Sequence, residues 1–347
     1  MFLLNLIMRS KEKLFIVSND KIYNNHYLNH NDLNSIALSF DKYFYLKIIC
    51  RYTKNKYIFR AKKSLKFLNF YFLRHLLKIT KELKSSKLLF ISITPFNFFI
   101  FFFFKMFFFK KNYKSYLYLR SNGFLEYQYI YGLFGKIIYY IMHRFMSANS
   151  VVVASSSDLA KNSKSYSILT PSELDSSWFI KRKKANLSYI NLLYLGRLRK
   201  EKGIYNLINL LKKIKINYKL NVVGLESGKH NYQEGRISYY LQEFNKNKII
   251  EYYDQSNIFI LPSFTESAPK VIWESLARLR PVIVFDDIMQ VSQKKIGVYV
   301  SKRNSTSLIK TANFIIKNYK SIQAQIKKNN FPLKNQFQKE FLNILKK

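Results

Sequence analysis

An α/β chain built on parallel sheets is predicted by two observations. From about residue 186 to Asn318, apolar runs of strand length alternate with stretches of helical period, the pattern of a parallel sheet with helices on both faces. Within it, the near-continuous apolar run 189–195 enters Gly196-Arg197-Leu198-Arg199-Lys200-Glu201-Lys202-Gly203, and a helical pattern starts at Ile204. Strand, glycine-bounded basic loop and helix is the order of an anion site at the C-terminal edge of such a sheet. With 347 residues the chain has room for two domains. They are expected at 1–185 and 186–320, followed by a helical segment, 321–347.

In chain order, residues 14–18 and 43–49 read as strands. Residues 61–84 carry Leu65, Leu68, Phe72, Leu76 and Ile79 at helical spacing among basic residues, predicting a long amphipathic helix. Residues 88–94 read as a buried strand, followed by Pro95-Phe96-Asn97 and phenylalanines to Phe109. The seventeen uncharged residues 88–104 reach the short end of the ~17–25 needed to cross a bilayer. Pro95 and Asn97 interrupt them, so strand then helix within a βαβ unit is the better reading. The phenylalanine helix is a candidate for dipping one face into lipid.

Residues 116–119 predict a strand leading to Arg120-Ser121-Asn122-Gly123, residues 129–145 a helix, and 151–154 and 166–169 further strands. Residues 171–186 hold turn formers and the run Lys181-Arg182-Lys183-Lys184, as an interdomain linker would. Residues 321–347 read as helical with an interruption at Pro332. No repeat of fixed period is present.

The most informative stretch is 256–274, Ser-Asn-Ile-Phe-Ile-Leu-Pro-Ser-Phe-Thr-Glu-Ser-Ala-Pro-Lys-Val-Ile-Trp-Glu. An apolar strand meets a Pro-Ser turn, then Glu266, a loop of small residues, and a helix carrying Glu274. Pro269 suits a first helical turn, where its missing N–H goes unused. The amides around Ser267 and Ala268 then sit at a helix N-terminus, which favours phosphate. Glu274 falls about 7 Å along that helix at ~1.5 Å per residue. Two carboxylates bracketing an anion site make sense if each accepts hydrogen bonds from neutral hydroxyls, which a nucleotide sugar carries at both ends. Exposed glutamates are the ordinary alternative, and the intact stretch argues against it. In the basic loop, Arg197 can grip a phosphate bidentately and Lys202 adds a point charge.

These residues resemble glycosyltransferase family 4, the group 1 glycosyltransferases, with their Gly-Arg-(four residues)-Lys-Gly loop and Glu-(seven residues)-Glu motif. Here these are Gly196-Arg197 with Lys202-Gly203, and Glu266 with Glu274. Val222-Val223-Gly224, Ser275-Leu276-Ala277-Arg278 and Pro281-Val282-Ile283 are similar in context. The resemblance runs from about residue 189 to 297. It implies a GT-B fold of two Rossmann-like domains whose parallel sheets face a central cleft, with terminal helices crossing back to the first domain. It also implies a nucleotide-diphosphate sugar donor and retention at the anomeric carbon. By the same resemblance, Gly196, Arg197, Lys202, Gly224, Glu266, Ser267, Ala268, Pro269 and Glu274 bind donor. Arg197 and Lys202 take the diphosphate, Glu274 the ribose and Glu266 the transferred sugar; catalysis is assigned to Glu266, Arg197 and Lys202.

The sequence departs from the family on the acceptor side. The first glycine of the chain is Gly123, so the glycine-rich loop that many members carry after strand one is absent or built from Ser18-Asn19-Asp20. Many members also place a histidine of the first domain near the reacting sugar, but none of His26, His30, His75, His143 and His230 stands in a context that matches it; His143 reads as structural. Arg120 and Glu126, at the end of a strand, are the acceptor-side candidates.

Composition bounds the rest. The net charge is +39: +22 over residues 1–185 and +17 over 186–347. Residues 42–114 hold eighteen Lys or Arg and one acid, Glu82, interleaved with aromatics. Abundant Lys, Asn, Ile, Phe and Tyr also reflect an AT-rich coding sequence. The basic aromatic stretch suits an anionic bilayer, or alternatively a nucleic acid through phosphate neutralisation and stacking. The membrane is preferred, because many members of the resembled family act on lipid-linked acceptors. A nucleic-acid-binding protein and an inactive transferase-like scaffold are the competing readings; the first has no need of Glu266, Glu274 or the Arg197 loop. One cysteine, Cys50, excludes a disulfide framework. Residues 1–8 are apolar, but Arg9 cuts them short, so no signal peptide is expected. No Asp-x-Asp or metal-spaced cluster occurs. The expectation is a metal-independent enzyme without cofactor, peripheral on the cytoplasmic face of a membrane, in polysaccharide or lipopolysaccharide synthesis.

Overall fold

Parallel strands covered on both faces must be apolar throughout, and the central strands of this chain are: Ile258–Leu261 and Val282–Phe285 are buried at every position. The computed structural model describes residues 12–23, 27–28, 31–52, 59–60, 66–69, 86–107, 113–161, 163–226 and 229–347. The chain divides into two units, Met1–Leu169 with Gln338–Lys347, and Thr170–Phe337.

The first unit contains strands β1 (Lys13–Tyr23), β2 (Tyr27–Leu28), β3 (Tyr45–Tyr52), β4 (Phe59–Arg60), β5 (Lys66–Asn69), β6 (Lys87–Ile91), β7 (Lys114–Leu119), β8 (Val151–Ala154) and β9 (Ser165–Ile168). Seven run parallel in the order β5-β3-β1-β6-β7-β8-β9. The short β2 and β4 add antiparallel pairs beside the end of β1. Among its described residues are also the helices α1 (Asn31–Phe40), α2 (Pro95–Phe107) and α3 (Gly123–Ala148). Within this unit Phe341, from the last ten residues, packs on Phe40 and Tyr118 with ring centroids 5.2 and 4.9 Å apart.

Two expectations change here. Residues 66–69 form a strand paired with Lys47–Cys50 of β3, not part of a helix; sheet pairing overrides a helical apolar spacing. The rest of the expected helix at 61–84 lies outside the described residues. The helix expected from Tyr129 begins at Gly123, capped by Asn122, whose side chain accepts from the Leu125 amide; it breaks at Gly132 (φ 67°). Asn97, which interrupts the apolar run, is fully buried and donates to the carbonyls of Ile91 (2.7 Å) and Ser92 (2.9 Å). It holds the turn where Ser92 takes φ 68°. Among the described residues, no helix is long and apolar enough to cross a membrane.

The second unit contains β10 (Ile190–Leu195), α4 (Ile204–Lys212), β11 (Tyr218–Leu225), β12 (Tyr232–Glu234), β13 (Ile237–Leu241), α5 (Lys246–Gln255), β14 (Ile258–Leu261), α6 (Lys270–Ala277), β15 (Val282–Phe285), β16 (Val298–Ser301), α7 (Ser305–Lys317), α8 (Tyr319–Ile326) and the start of α9 (Lys334–Lys346). Its parallel order is β13-β11-β10-β14-β15-β16, with β12 antiparallel at the edge. By position along the chain this is the order 3-2-1-4-5-6 of a Rossmann sheet, whose switch point lies between strands one and four, here β10 and β14. Helix α4 shows how sequence makes the layers. Ile204, Leu207, Ile208 and Leu211 fall on one stripe, and all four are buried.

The turn-rich residues 171–186 are pinned within this unit. The guanidinium of Arg278 grips Asp254 bidentately (3.0 and 2.7 Å) and donates to the carbonyls of Trp178, Ile180 and Lys181. Arg280 donates to Lys183, Tyr253, Asp254 and Ser256 carbonyls. Asp254 and both arginines are almost wholly buried. Their charges are compensated by this density of donors and acceptors, as burial requires.

Candidate functional site

Ligands of open α/β sheets bind outside the carboxyl ends of the strands at the switch point. At that position β10 runs into Gly196-Arg197 and β14 into Pro262-Ser263. Two glycines allow the loops to approach. A Cβ at Gly224, at the end of β11, would lie 1.8 Å from the Gly196 carbonyl oxygen, and one at Gly203 would lie 1.9 Å from that of Pro262. Gly203 also takes φ 67° between a 3-10 turn (Lys200–Lys202) and α4, a conformation that favours glycine. The loop is further tied by Gly196 N–H to the Val223 carbonyl (3.0 Å). The buried Tyr194 hydroxyl donates to the Arg197 carbonyl (2.7 Å); burial pushes that phenol's pKa well up, so it stays a donor.

This folding brings Lys202 and Glu266 together. Lys202 Nζ lies 2.7 Å from Glu266 Oε1, and the two side chains are 19% and 13% exposed. Ser263 Oγ donates to the same oxygen at 2.8 Å. The Gln290 side chain holds the Glu266 carbonyl (3.2 Å), and the Phe264 amide donates to the Glu201 carbonyl (3.0 Å). Glu266 is thereby fixed at side chain and backbone. Ser267, Ala268 and Pro269 are partly exposed beside it, and Arg197 is exposed.

Helix α6 begins at Lys270, one residue later than the first-turn placement of Pro269. Pro269 has a helical φ of −69° but ψ 116°, and serves as the N-cap. Glu274 lies on the second turn, half-buried. The Tyr253 hydroxyl is 3.1 Å from its Oε2 and 3.2 Å from the Val271 carbonyl. Complete burial raises the Tyr253 pKa, and the adjacent Glu274 charge raises it further, so this phenol keeps its proton and orients Glu274.

Arg303, in the loop after β16, was not singled out in the sequence. It donates to the carbonyls of Pro262 (2.9 Å) and Ser263 (3.1 Å) and to Asp287 Oδ2 (2.6 Å). Its guanidinium stacks between Phe264 and Phe285, 4.1 and 4.3 Å from their centroids. It buttresses the turn that presents Glu266. Tyr253 and Arg303 act from 21 and 37 residues away from the glutamates they serve, and carry no local motif.

The acceptor-side candidates belong to the first unit. Arg120 follows β7, 5.8 Å from the Tyr118 ring centroid, and its carbonyl accepts from Ser155 Oγ at 3.2 Å. Glu126 occupies the first turn of α3. In the Ser18-Asn19-Asp20 segment, the Ser18 hydroxyl donates to Asp20 Oδ2 (2.9 Å), and the backbone continues β1. His143 is buried against Phe124, with Nε2 3.2 Å from the Leu159 carbonyl. Burial lowers its pKa, consistent with a structural histidine. Among the described residues, no group of three or more His, Cys, Asp or Glu could hold a metal ion.

Residues 176–331, which include the whole loop-and-glutamate constellation, match the family described as glycosyl transferases group 1. A 95-residue segment is 33% identical to TuaC of Bacillus subtilis (strain 168), named as a teichuronic acid biosynthesis glycosyltransferase. It covers 27% of this chain and spans 24% of that relative. Sucrose-phosphate synthase from Thermosynechococcus elongatus is similar over 96% of this chain and 98% of its own, with TM-score 0.72 and 12% identity. Anabaena HepE, solved with UDP and glucose, is similar over 96% and 99%, with TM-score 0.68 and 11% identity. At such identities the structural likeness carries the fold alone: two parallel-sheet α/β domains of the GT-B type. Residues 176–331, which carry the Gly-Arg loop and both glutamates, are thus a glycosyl transferases group 1 segment.

Proposed function

We propose that the chain is a retaining glycosyltransferase moving a sugar from a nucleotide-diphosphate donor to a lipid-linked or cell-surface glycan, peripherally on the inner face of a bacterial cytoplasmic membrane. The observation that carries this is the Lys202–Glu266 contact of 2.7 Å at the switch point of the second sheet, beside the N-terminus of α6. Arg197 and Lys202 meet the diphosphate, joined by the partial positive charge of the helix end. Glu266, held by Lys202 and Ser263, accepts from hydroxyls of the transferred sugar. Glu274, oriented by Tyr253, accepts from the ribose. Departure of the nucleotide diphosphate is helped by fixed positive charge, the kind of electrostatic term that commonly dominates catalysis, without a metal. Arg120 and Glu126 serve the acceptor. The name of TuaC, placing that relative in teichuronic acid biosynthesis, supports an anionic or lipid-linked glycan as acceptor class.

The test is a thermal-shift and donor-hydrolysis screen of nucleotide sugars, with UDP-glucose and UDP among the probes. Stabilisation by at least one nucleotide or its sugar, lost in Arg197→Ala, is expected. Indifference to every nucleotide would return the chain to a scaffold role. Activity with a competent donor should survive excess EDTA; loss restored by Mg²⁺ or Mn²⁺ would mean that a metal neutralises the diphosphate.

A further inference from the structure

Single exposed apolar side chains are ordinary on protein surfaces, whereas contiguous apolar patches mark interaction sites. Of the 25 large apolar side chains exposed among the described residues, twelve stand on α2 and α3. The most exposed are Leu133 and Phe134, at 68% and 72%. They follow the break at Gly132, where a Cβ would meet no atom within 4 Å. The two helices pack through Phe98, Phe102 and Phe145, with centroids 5.8 Å apart for both pairs to Phe145. Between them lies a wholly apolar groove of about 420 Å³, lined by Phe98, Phe99, Phe102, Ile138 and Ile141 among others. None of this surface lies in the donor site.

Charge chooses the occupant. Between Pro95 and Ala148 there are seven Lys or Arg and one acid, Glu126, and Lys136 and Arg144 are exposed on α3 itself. A second copy meeting this face by two-fold symmetry would set like charge against like. An anionic bilayer supplies the opposite charge and the apolar phase together. Tyr129, Tyr131 and Tyr140, exposed on the same helix, have the amphipathic rings that settle at headgroup depth.

We infer that the α2–α3 face is the membrane-inserting surface of this protein. Leu133, Phe134 and Ile137 enter the acyl region of an anionic bilayer, the α2–α3 groove takes up acyl chain, and Lys136 and Arg144 meet lipid phosphates. This deepens, and rests on, the membrane side of the proposed function. It locates insertion on two helices, α2 within the basic stretch 42–114 and α3 beyond it; much of that stretch lies outside the described residues.

The test uses the full chain with Phe134→Cys carrying an environment-sensitive fluorophore. The single native thiol, Cys50, is buried and takes no label. Vesicles of phosphatidylcholine with a quarter phosphatidylglycerol should shift the label's emission to the blue, while phosphatidylcholine alone should not. Adding Leu133→Ser with Ile137→Ser should lower the partition coefficient by at least about tenfold. Those positions are exposed, so melting temperature and stabilisation by UDP should stay as in the parent. A label that stays in water while the protein floats with vesicles would overturn the inference. So would a dimer, seen by sedimentation, that the serine variant dissociates while the parent ignores vesicles. Failure to bind any nucleotide with label insertion intact would strike the transferase reading instead, because the two readouts are separate.

Discussion

Glu266 shares one carboxylate oxygen with Lys202 and Ser263, so neither charge of the pair acts alone. Removing one leaves the other without its partner in a mostly enclosed site. The effects of Lys202→Ala and Glu266→Ala on kcat/KM should therefore be non-additive, with a coupling of about 0.5–3 kcal/mol expected for contacting residues. Strict additivity in a double-mutant cycle would separate them functionally. Glu274 is held differently, by a buried phenol that remains a donor. Glu274→Ala should chiefly weaken donor binding, by about 1.5–3 kcal/mol for a lost charged acceptor, whereas Glu266→Ala should depress kcat more than donor affinity. Steady-state kinetics of both variants with one competent donor decide between the two roles. Equal losses in kcat with unchanged KM would contradict the ribose assignment of Glu274.

At the level of elements, the β10 loop and the β14 loop come together because Gly203 has no side chain. Gly203→Ala places a methyl group against the Pro262 carbonyl in a left-handed backbone conformation, so it should destabilise the second unit and blunt nucleotide-induced stabilisation; melting curves with and without UDP report both. The buried Asp254–Arg278–Arg280 cluster holds residues 178–183 to the ends of α5 and α6. Asp254→Ala leaves two buried guanidinium groups short of their counter-charge, and a loss of about 3–5 kcal/mol is expected, measurable in urea as a shift of the second unit's transition. The contrast between these features explains what was readable beforehand. The Gly196–Gly203 loop and the Glu266–Glu274 stretch were legible because strand, loop and helix are contiguous in sequence and each link has local chemistry. Arg303, Tyr253 and the Asp254 cluster were not, since their partners are distant in the chain and joined only by the sheet order. Residues 66–69 misled for a related reason: apolar residues at helical spacing also serve a short edge strand once β3 offers its hydrogen bonds.

For the whole molecule, the formal charge of +39 attracts lipid phosphate and nucleic acid alike, so salt dependence alone separates nothing. The two ways of holding a membrane do separate. Adsorption by exposed charge weakens as the Debye length falls from about 8 Å at physiological ionic strength to ~3 Å at 1 M. Insertion of Leu133, Phe134 and Ile137 depends on apolar area removed from water, about 25 cal/mol per Å², and salt does not screen it. The unmodified chain on phosphatidylglycerol-containing vesicles should thus lose part of its binding at 1 M salt and retain a fraction that resists it. The Leu133→Ser/Ile137→Ser variant should bind more weakly at low salt and retain a markedly smaller fraction at high salt. A single-stranded oligonucleotide tests the other partner class: nucleic-acid binding should fall to nothing at 1 M and be indifferent to the serine substitutions, which leave every Lys and Arg in place. If the salt-resistant fraction were the same for both chains, insertion through α3 would be excluded and the basic surface alone would carry the association.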